Sequence, residues 1–208
     1  HIYDVIEQVW SVKLPRSNNP IQYIGQTDWK AYDINLADQW LGQHTDVVLI
    51  CNGRVRSTQS NLELMEPTLK ELSRDFPAIS FVCTSKFDTT GFDRTDNIYF
   101  TEDIFAGVEG GDINEIAYLS TKAFLVAGKN SGPFMFTHVV ENILDPNKIF
   151  VSLSHRSSDS YAWGVKGLPC RYYHYSGDDE HNVAGLIRLA INNRGQLGTG
   201  EIEEIPQA

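Results

Sequence analysis

The stretch VAGKNSGPFMFTHVV, Val126 to Val140, begins as a buried strand and ends as a helix. An apolar run closes at Ala127-Gly128, and Lys129-Asn130-Ser131-Gly132-Pro133 follows before apolar residues resume. Proline lacks an N–H and holds a helical φ, so it suits the first turn of a helix. The spacing therefore predicts a strand, a polar turn and a helix from Pro133 to about Asn142. The turn has two readings. It is punctuation, or its small residues let an anion approach the free N–H groups that open the helix.

Outward from this unit the same alternation repeats. VVLICNG (47–53), AISFVCTS (78–85), NIYFT (97–101), AFLVAGK (123–129) and KIFVSLS (148–154) are apolar runs rich in β-branched and aromatic residues, and CRYYHYS (170–176) is a sixth candidate. Their lack of strict alternation suits strands buried on both faces of a parallel sheet. Helical patterns lie between them. Leu62, Met65, Leu69, Leu72 and Phe76 keep three-to-four spacing, with Pro67 tolerated only near a helix start. Asp112 and Glu115 match a capping box before the stripe Ile113, Ile116, Ala117 and Leu119. A last helix is expected near His181–Asn193.

The fold class that follows is α/β: a doubly wound, mainly parallel, five- to six-stranded Rossmann-like sheet with helices on both faces. Residues 46–195 form that domain. Residues 1–45 read as a partly irregular N-terminal extension carrying one helical patch, YDVIEQVW, and residues 196–208 as a flexible tail.

Composition narrows the partners. With 208 residues the chain can bury one sizeable core, and its net charge of −10 argues against a broad nucleic-acid or anionic-membrane face. No apolar run approaches the roughly 18 residues of a membrane span. No signal peptide is visible, and His1 stands where an initiating Met is expected, which reads as a trimmed chain or a fragment of something longer. Cys51, Cys83 and Cys170 are widely separated, form no C-x-x-C pair and read as buried thiols of a reducing, cytoplasmic compartment.

In open α/β sheets ligands bind beyond the carboxyl ends of the strands. The expected loops there bring Asn52, Arg54 and Arg56, then Ser85 and Lys86, then Thr101, Glu102 and Asp103, then Lys129 to Pro133, then His155 and Arg156. Arg54, Arg56, Lys86, Lys129 and Arg156 thus collect on one edge of an acidic protein, which favours the anion-holding reading of the turn. The glycines of GVEGGD (107–112) match no dinucleotide fingerprint, and no Walker motif is present. His138 reads as a core histidine and His174 as a strand surface position. Asp178-Asp179-Glu180-His181 reads as a helix cap rather than a metal site. No metal ligand set is assigned.

With these loops placed, residues 46–195 resemble the C-terminal half of GT-B glycosyltransferases, nearest the heptosyltransferase-like group. The likeness rests on NGRVRSTQSN after an early strand, on DINEIAYLSTKA leading into a strand, and on Asn130-Ser131-Gly132-Pro133 where those proteins have D-S-G, with His138 a little later. The resemblance implies binding of a nucleotide sugar. Ser131 and Gly132 would face the diphosphate, Arg54 and Arg56 would neutralise it, Thr101, Glu102 and Asp103 would border the base, and Glu115 would meet the ribose. It also implies transfer without a metal, because cationic side chains and a helix start stabilise the leaving diphosphate. Such enzymes have a second α/β domain, for which 46 residues before the first strand are too few. The expectation is a nucleotide-sugar-binding domain of a glycosyltransferase whose other domain lies outside this chain. The alternative is a stand-alone nucleotide- or small-molecule-binding or interaction module, the last drawing on aromatic residues such as Tyr161, Trp163 and Tyr172.

Overall fold

The structure, a computed structural model, describes residues 27–31, 34–55, 60–106, 113–155 and 167–205. The helical patch YDVIEQVW, Arg56, Arg156, Asp112, Tyr161, Trp163 and GVEGGD lie outside the described residues. Seven strands run parallel: β1 Val47–Cys51, β2 Ser80–Cys83, β3 Ile98–Phe100, β4 Leu125–Lys129, β5 Ile149–Leu153, β6 Arg171–Tyr175 and β7 Ile202–Ile205. Their order across the sheet is β3-β2-β1-β4-β5-β6-β7. The helices are α1 Asn35–Leu41, α2 Glu66–Asp75, α3 Thr101–Ile104, α4 Ile113–Lys122, α5 Gly132–Phe136, α6 Val140–Ile143 and α7 Glu180–Asn192, with a 3-10 turn at Trp29–Ala31.

Side-chain alternation along each strand divides the core in two. Val48 and Ile50 face α2 and α7 through Leu69, Leu72, Val183 and Ile187. Val47, Leu49 and Cys51 face α1, α4 and α5 through Ala37, Ile116, Leu119 and Phe134. The sheet is doubly wound and Rossmann-like, and β1 is buried along its whole length because both faces are covered. Residues 27–41 belong to the second face: the Trp29 ring meets Tyr118 edge-on at 5.4 Å, and the Tyr118 hydroxyl donates to Asp38 at 2.6 Å.

Four features depart from the sequence reading. The strand count is seven rather than five to six, because Ile202–Ile205, expected within a flexible tail, pairs with β6 from Tyr172↔Ile202 to Tyr175↔Ile205. The approach to β7 is tied down by Gly198 N–H donating to Pro146 O at 2.7 Å. A side chain on Gly198 would run into Pro169 O.

The helix expected over 133–142 is broken into α5 and α6. Thr137 Oγ1 donates to Phe134 O at 2.6 Å, and Asn142 Nδ2 donates to Thr137 O at 2.8 Å. Side chains have taken carbonyls that a continuous helix would use, and Val139 is extended. Leu62 and Met65, read as the first positions of α2, precede it; Met65 caps it in the left-handed region at φ 60°. His174 is buried rather than on a surface, since β6 is covered on both faces and flanked by β5 and β7.

Candidate functional site at the carboxyl edge of the sheet

β1 is followed in space by β2 on one side and β4 on the other, so the topology switches direction between β1 and β4. The carboxyl ends of these two strands approach closely. A Cβ built on Gly128 would lie 2.5 Å from Cys51 Cβ and 2.9 Å from Cys51 O. Glycine alone lets Asn52–Arg54 and Asn130–Gly132 leave the sheet side by side.

The residues expected here divide into those that build the edge and those that face out from it. Asn52 is fully buried. Its Nδ2 donates to Leu64 O and Ser85 O, both at 3.0 Å, and its Oδ1 accepts the Ser85 N–H at 2.9 Å. Asn52 and Ser85 therefore lace β1 to β2. Lys129, counted among the edge cations, is also fully buried. Its ammonium donates to Leu62 O at 2.9 Å and to Glu63 O. Cys51 and Cys83 lie in the strands beneath, where burial pushes both thiols up and keeps them protonated.

The exposed cations are paired. Arg54 Nε lies 3.3 Å from Glu63, and Lys86 Nζ lies 2.5 Å from Asp103. The Lys86 N–H also donates to Glu102 at 3.3 Å, so Lys86, Glu102 and Asp103 form one group across β2 and β3. The Asp103 bond raises the Lys86 pKa. His155 Nε2 sits 3.3 Å from Asp178, which accepts from the Asn61 N–H at 3.3 Å and from Asn61 Nδ2 at 3.1 Å. His155 thus joins the end of β5 to the loops before α2 and α7.

Among the described residues, five buried polar atoms at this edge have no hydrogen-bond partner: Thr84 Oγ1, Thr101 Oγ1, Glu115 Oε2, Asn130 Oδ1, and His155 Nε2, the last within ion-pair distance of Asp178. Thr84 and Thr101 each lie one residue beyond the last β2–β3 register pair, Cys83↔Phe100, and Asn130 follows β4 directly. Glu115 lies in the first turn of α4, and Asn130 Nδ2 donates to Ser152 Oγ at 3.2 Å. Buried polar atoms ordinarily find partners, and these lack one.

Ser131 is extended, makes no side-chain cap bond and precedes Gly132, whose missing side chain faces open space. Gly132 has no positive φ, and beyond its chain neighbours nothing lies within 4 Å of a Cβ built there. What it leaves clear is the approach to the peptide N–H groups of Gly132 and its neighbours, with Pro133 behind them.

His138 is stacked on Phe150 at 4.7 Å, its Nδ1 bonded to Phe134 O at 3.1 Å, and burial lowers its pKa to about 4. It is half-buried against Phe134 and Phe150. A separate cleft of about 560 Å³ flanks β3, walled by Trp40, His44, Thr95, Tyr99 and Asp103. Its histidine is held toward the neutral form by burial, so it offers no cation to a phosphate. Among the described residues no three His, Cys, Asp or Glu side chains gather where they could hold a metal ion, and no helix is long and apolar enough to cross a membrane.

No protein-family model matches the chain, and no curated protein matches it in sequence. Among solved structures it is similar to a UDP-GlcNAc 2-epimerase from Neisseria meningitidis bound to UDP-GlcNAc, with a TM-score of 0.50 and 14% identity. The match covers 76% of this chain and 39% of that protein. At this identity the likeness is one of fold.

Proposed function

We propose that the carboxyl edge between β1 and β4 binds the diphosphate of a nucleotide sugar, within a metal-independent glycosyltransferase of GT-B type related to the heptosyltransferase-like group. The observation that carries the reading is the pairing of Arg54 and the open Ser131–Gly132 turn across the Gly128 close approach. The similar fold of a protein solved with UDP-GlcNAc bound supports it.

The Arg54–Glu63 pair does not oppose binding. Both side chains are about three-quarters exposed, and exposed ion pairs are worth about 0–1 kcal/mol. A diphosphate offers Arg54 two or more charge-assisted bonds and can displace Glu63. The partnerless Thr101, Glu115 and Asn130 atoms would accept or donate to the hydroxyls and base of the nucleotide. Leaving-group stabilisation would come from Arg54, Arg56 and the turn, and the base from the domain supplied elsewhere.

Calorimetry of the chain with UDP, ADP, GDP and CDP tests this. Arg54→Ala should weaken the preferred ligand roughly tenfold or more, the cost of a lost charge-assisted bond. Gly132→Ala adds a Cβ that meets nothing within 4 Å beyond its chain neighbours and should weaken binding, with a urea midpoint to check the strain of a side chain before Pro133. Binding unaffected by both substitutions would remove this edge as the site.

A further inference from the structure

We infer that Lys129 is the buried counter-charge of this edge: an anion bound between β1 and β4 supplies the partner its ammonium lacks, and binding draws a proton onto it. This rests on the reading that the edge binds a diphosphate.

Lys129 ends β4, and strand alternation puts its side chain on the face of Leu125 and Ala127, beneath the loop that leads to α2. There, among the described residues, its ammonium meets only the carbonyls Leu62 O and Glu63 O. Two of its three donors are used. No carboxylate comes within ion-pair distance among the described residues. A buried charge without a paired opposite charge is costly, and proteins normally pair it or neutralise it.

The charged groups that reach Lys129 are Glu180 at the start of α7, and Glu63 and Arg54 from the loop before α2. Each acid is already engaged. Glu180 accepts from Thr68 Oγ1 at 2.7 Å, and Glu63 pairs with Arg54. Arg54 adds a like charge. Burial, the largest influence, lowers the Lys129 pKa to about 8. The ammonium is therefore near half-charged in mildly alkaline solution, and sensitive to any charge placed nearby.

The placement decides what would use it. Lys129 is joined directly to Asn130-Ser131-Gly132 and bonded to the carbonyls of the Arg54 loop. An anion gripped by Arg54 and the Ser131 turn lies between the two segments that Lys129 ties together. Its negative charge raises the lysine pKa, and by linkage the protonated lysine raises the anion's affinity by the same factor.

The test is calorimetry with UDP at about pH 8.5, in two buffers of different ionisation enthalpy. The terminal phosphate of the probe is fully ionised there. A one-unit rise from the pKa of about 8 takes up about half a proton per UDP bound. Lys129→Met keeps the buried stem and removes the charge. It should bind UDP roughly tenfold more weakly at neutral pH, with no proton uptake, and its affinity should stay flat from neutral pH to about pH 9, below the ionisation of the uracil ring, while the wild type weakens. Should the variant not fold, the wild-type uptake decides. UDP binding without proton uptake, or equal affinity and uptake in Lys129→Met, would overturn the inference and leave the edge as a binding site. Failure of every nucleoside diphosphate to bind would overturn both.

Discussion

Replacing Gly128 by alanine separates two explanations of this glycine by the sign of the result. In a permissive site Gly→Ala stabilises by about 0.4–1 kcal/mol, through the less flexible unfolded chain. Here the new methyl would stand 2.5 Å from Cys51 Cβ and 3.1 Å from Cys51 Cα. Carbon atoms rest at about 3.5–4.0 Å, so the overlap is about 1 Å. Neither partner is the far end of a flexible side chain, because both belong to a strand held in register on either side. Relief requires β1 and β4 to move apart. Overpacking of this kind costs about 1–3 kcal/mol, against about 0.8 kcal/mol for burying one methyl. The expected outcome is a net loss of about 1 kcal/mol in urea unfolding, or about 3 °C in Tm for a domain of this size. Nucleotide affinity should fall as well, since the same movement separates Arg54 from Ser131. Cys51→Gly removes the nearest atom, so Gly128→Ala should cost about 1 kcal/mol less in that background, whereas Cys51→Ala should give no such relief. An unchanged or higher midpoint for Gly128→Ala would refute the close approach, and with it the geometry of the site.

Two further substitutions probe the frame around the edge. Removing the Asn52 amide strands the Ser85 N–H and two carbonyls, so Asn52→Ala should cost about 3 kcal/mol in urea, and Asn52→Asp at least as much because it turns a carboxylate toward those carbonyls; a milder Asn52→Asp would show the amide assigned the wrong way round. His138 is held neutral, with its pKa lowered from 6.5 to about 4, so the folded state binds fewer protons than the unfolded chain between those values. Its contribution is complete above about pH 6.5 and falls by about 3 kcal/mol as the pH drops through 4. His138→Phe, which keeps the stacked ring, should show a shallower acid loss in urea midpoints from pH 7 to 4; matching slopes would refute the assignment.

What the sequence shows well is burial on both faces, because it leaves continuous apolar runs. VVLIC and KIFVSL could hardly be anything but inner strands, and the doubly wound class follows from their alternation with helices. β7 escaped for the converse reason. It is an edge strand of four residues, IEEI, whose acids face water and, through Glu203, pair with Arg171. Periodicity could not see the break at 137–139 either, since it counts apolar spacing and not side chains capturing carbonyls. The placement of charge was the least legible. A lysine at the end of VAGK looks like an edge cation, yet alternation already put it on the α2 face, under a loop long enough to cover it. Lys148 behaves likewise: it opens β5, but its ammonium lies under α4, donating to Ser120 O and Ala123 O.

The pairing of Arg54 with Glu63 and of Lys86 with Asp103 constrains the anion site proposed for this edge. A surface of free cations would capture anions at long range and lose them as salt rises. This chain carries a net charge of −10, so its distant field repels a phosphate. At physiological ionic strength charges separated by more than about 8 Å are largely screened, which removes most of that repulsion, while bonds near 3 Å survive. In the proposed site selectivity then falls to groups in contact: Arg54 exchanging one carboxylate for a diphosphate, peptide N–H groups exposed where Gly132 carries no side chain, and a buried lysine whose charge a nearby anion would favour further. On this reading each would gain most from a compact, doubly charged group that reaches both β1 and β4. A monovalent carboxylate could replace Glu63 at Arg54 but could not also span to Ser131, and that difference in reach is what would make the edge a diphosphate site.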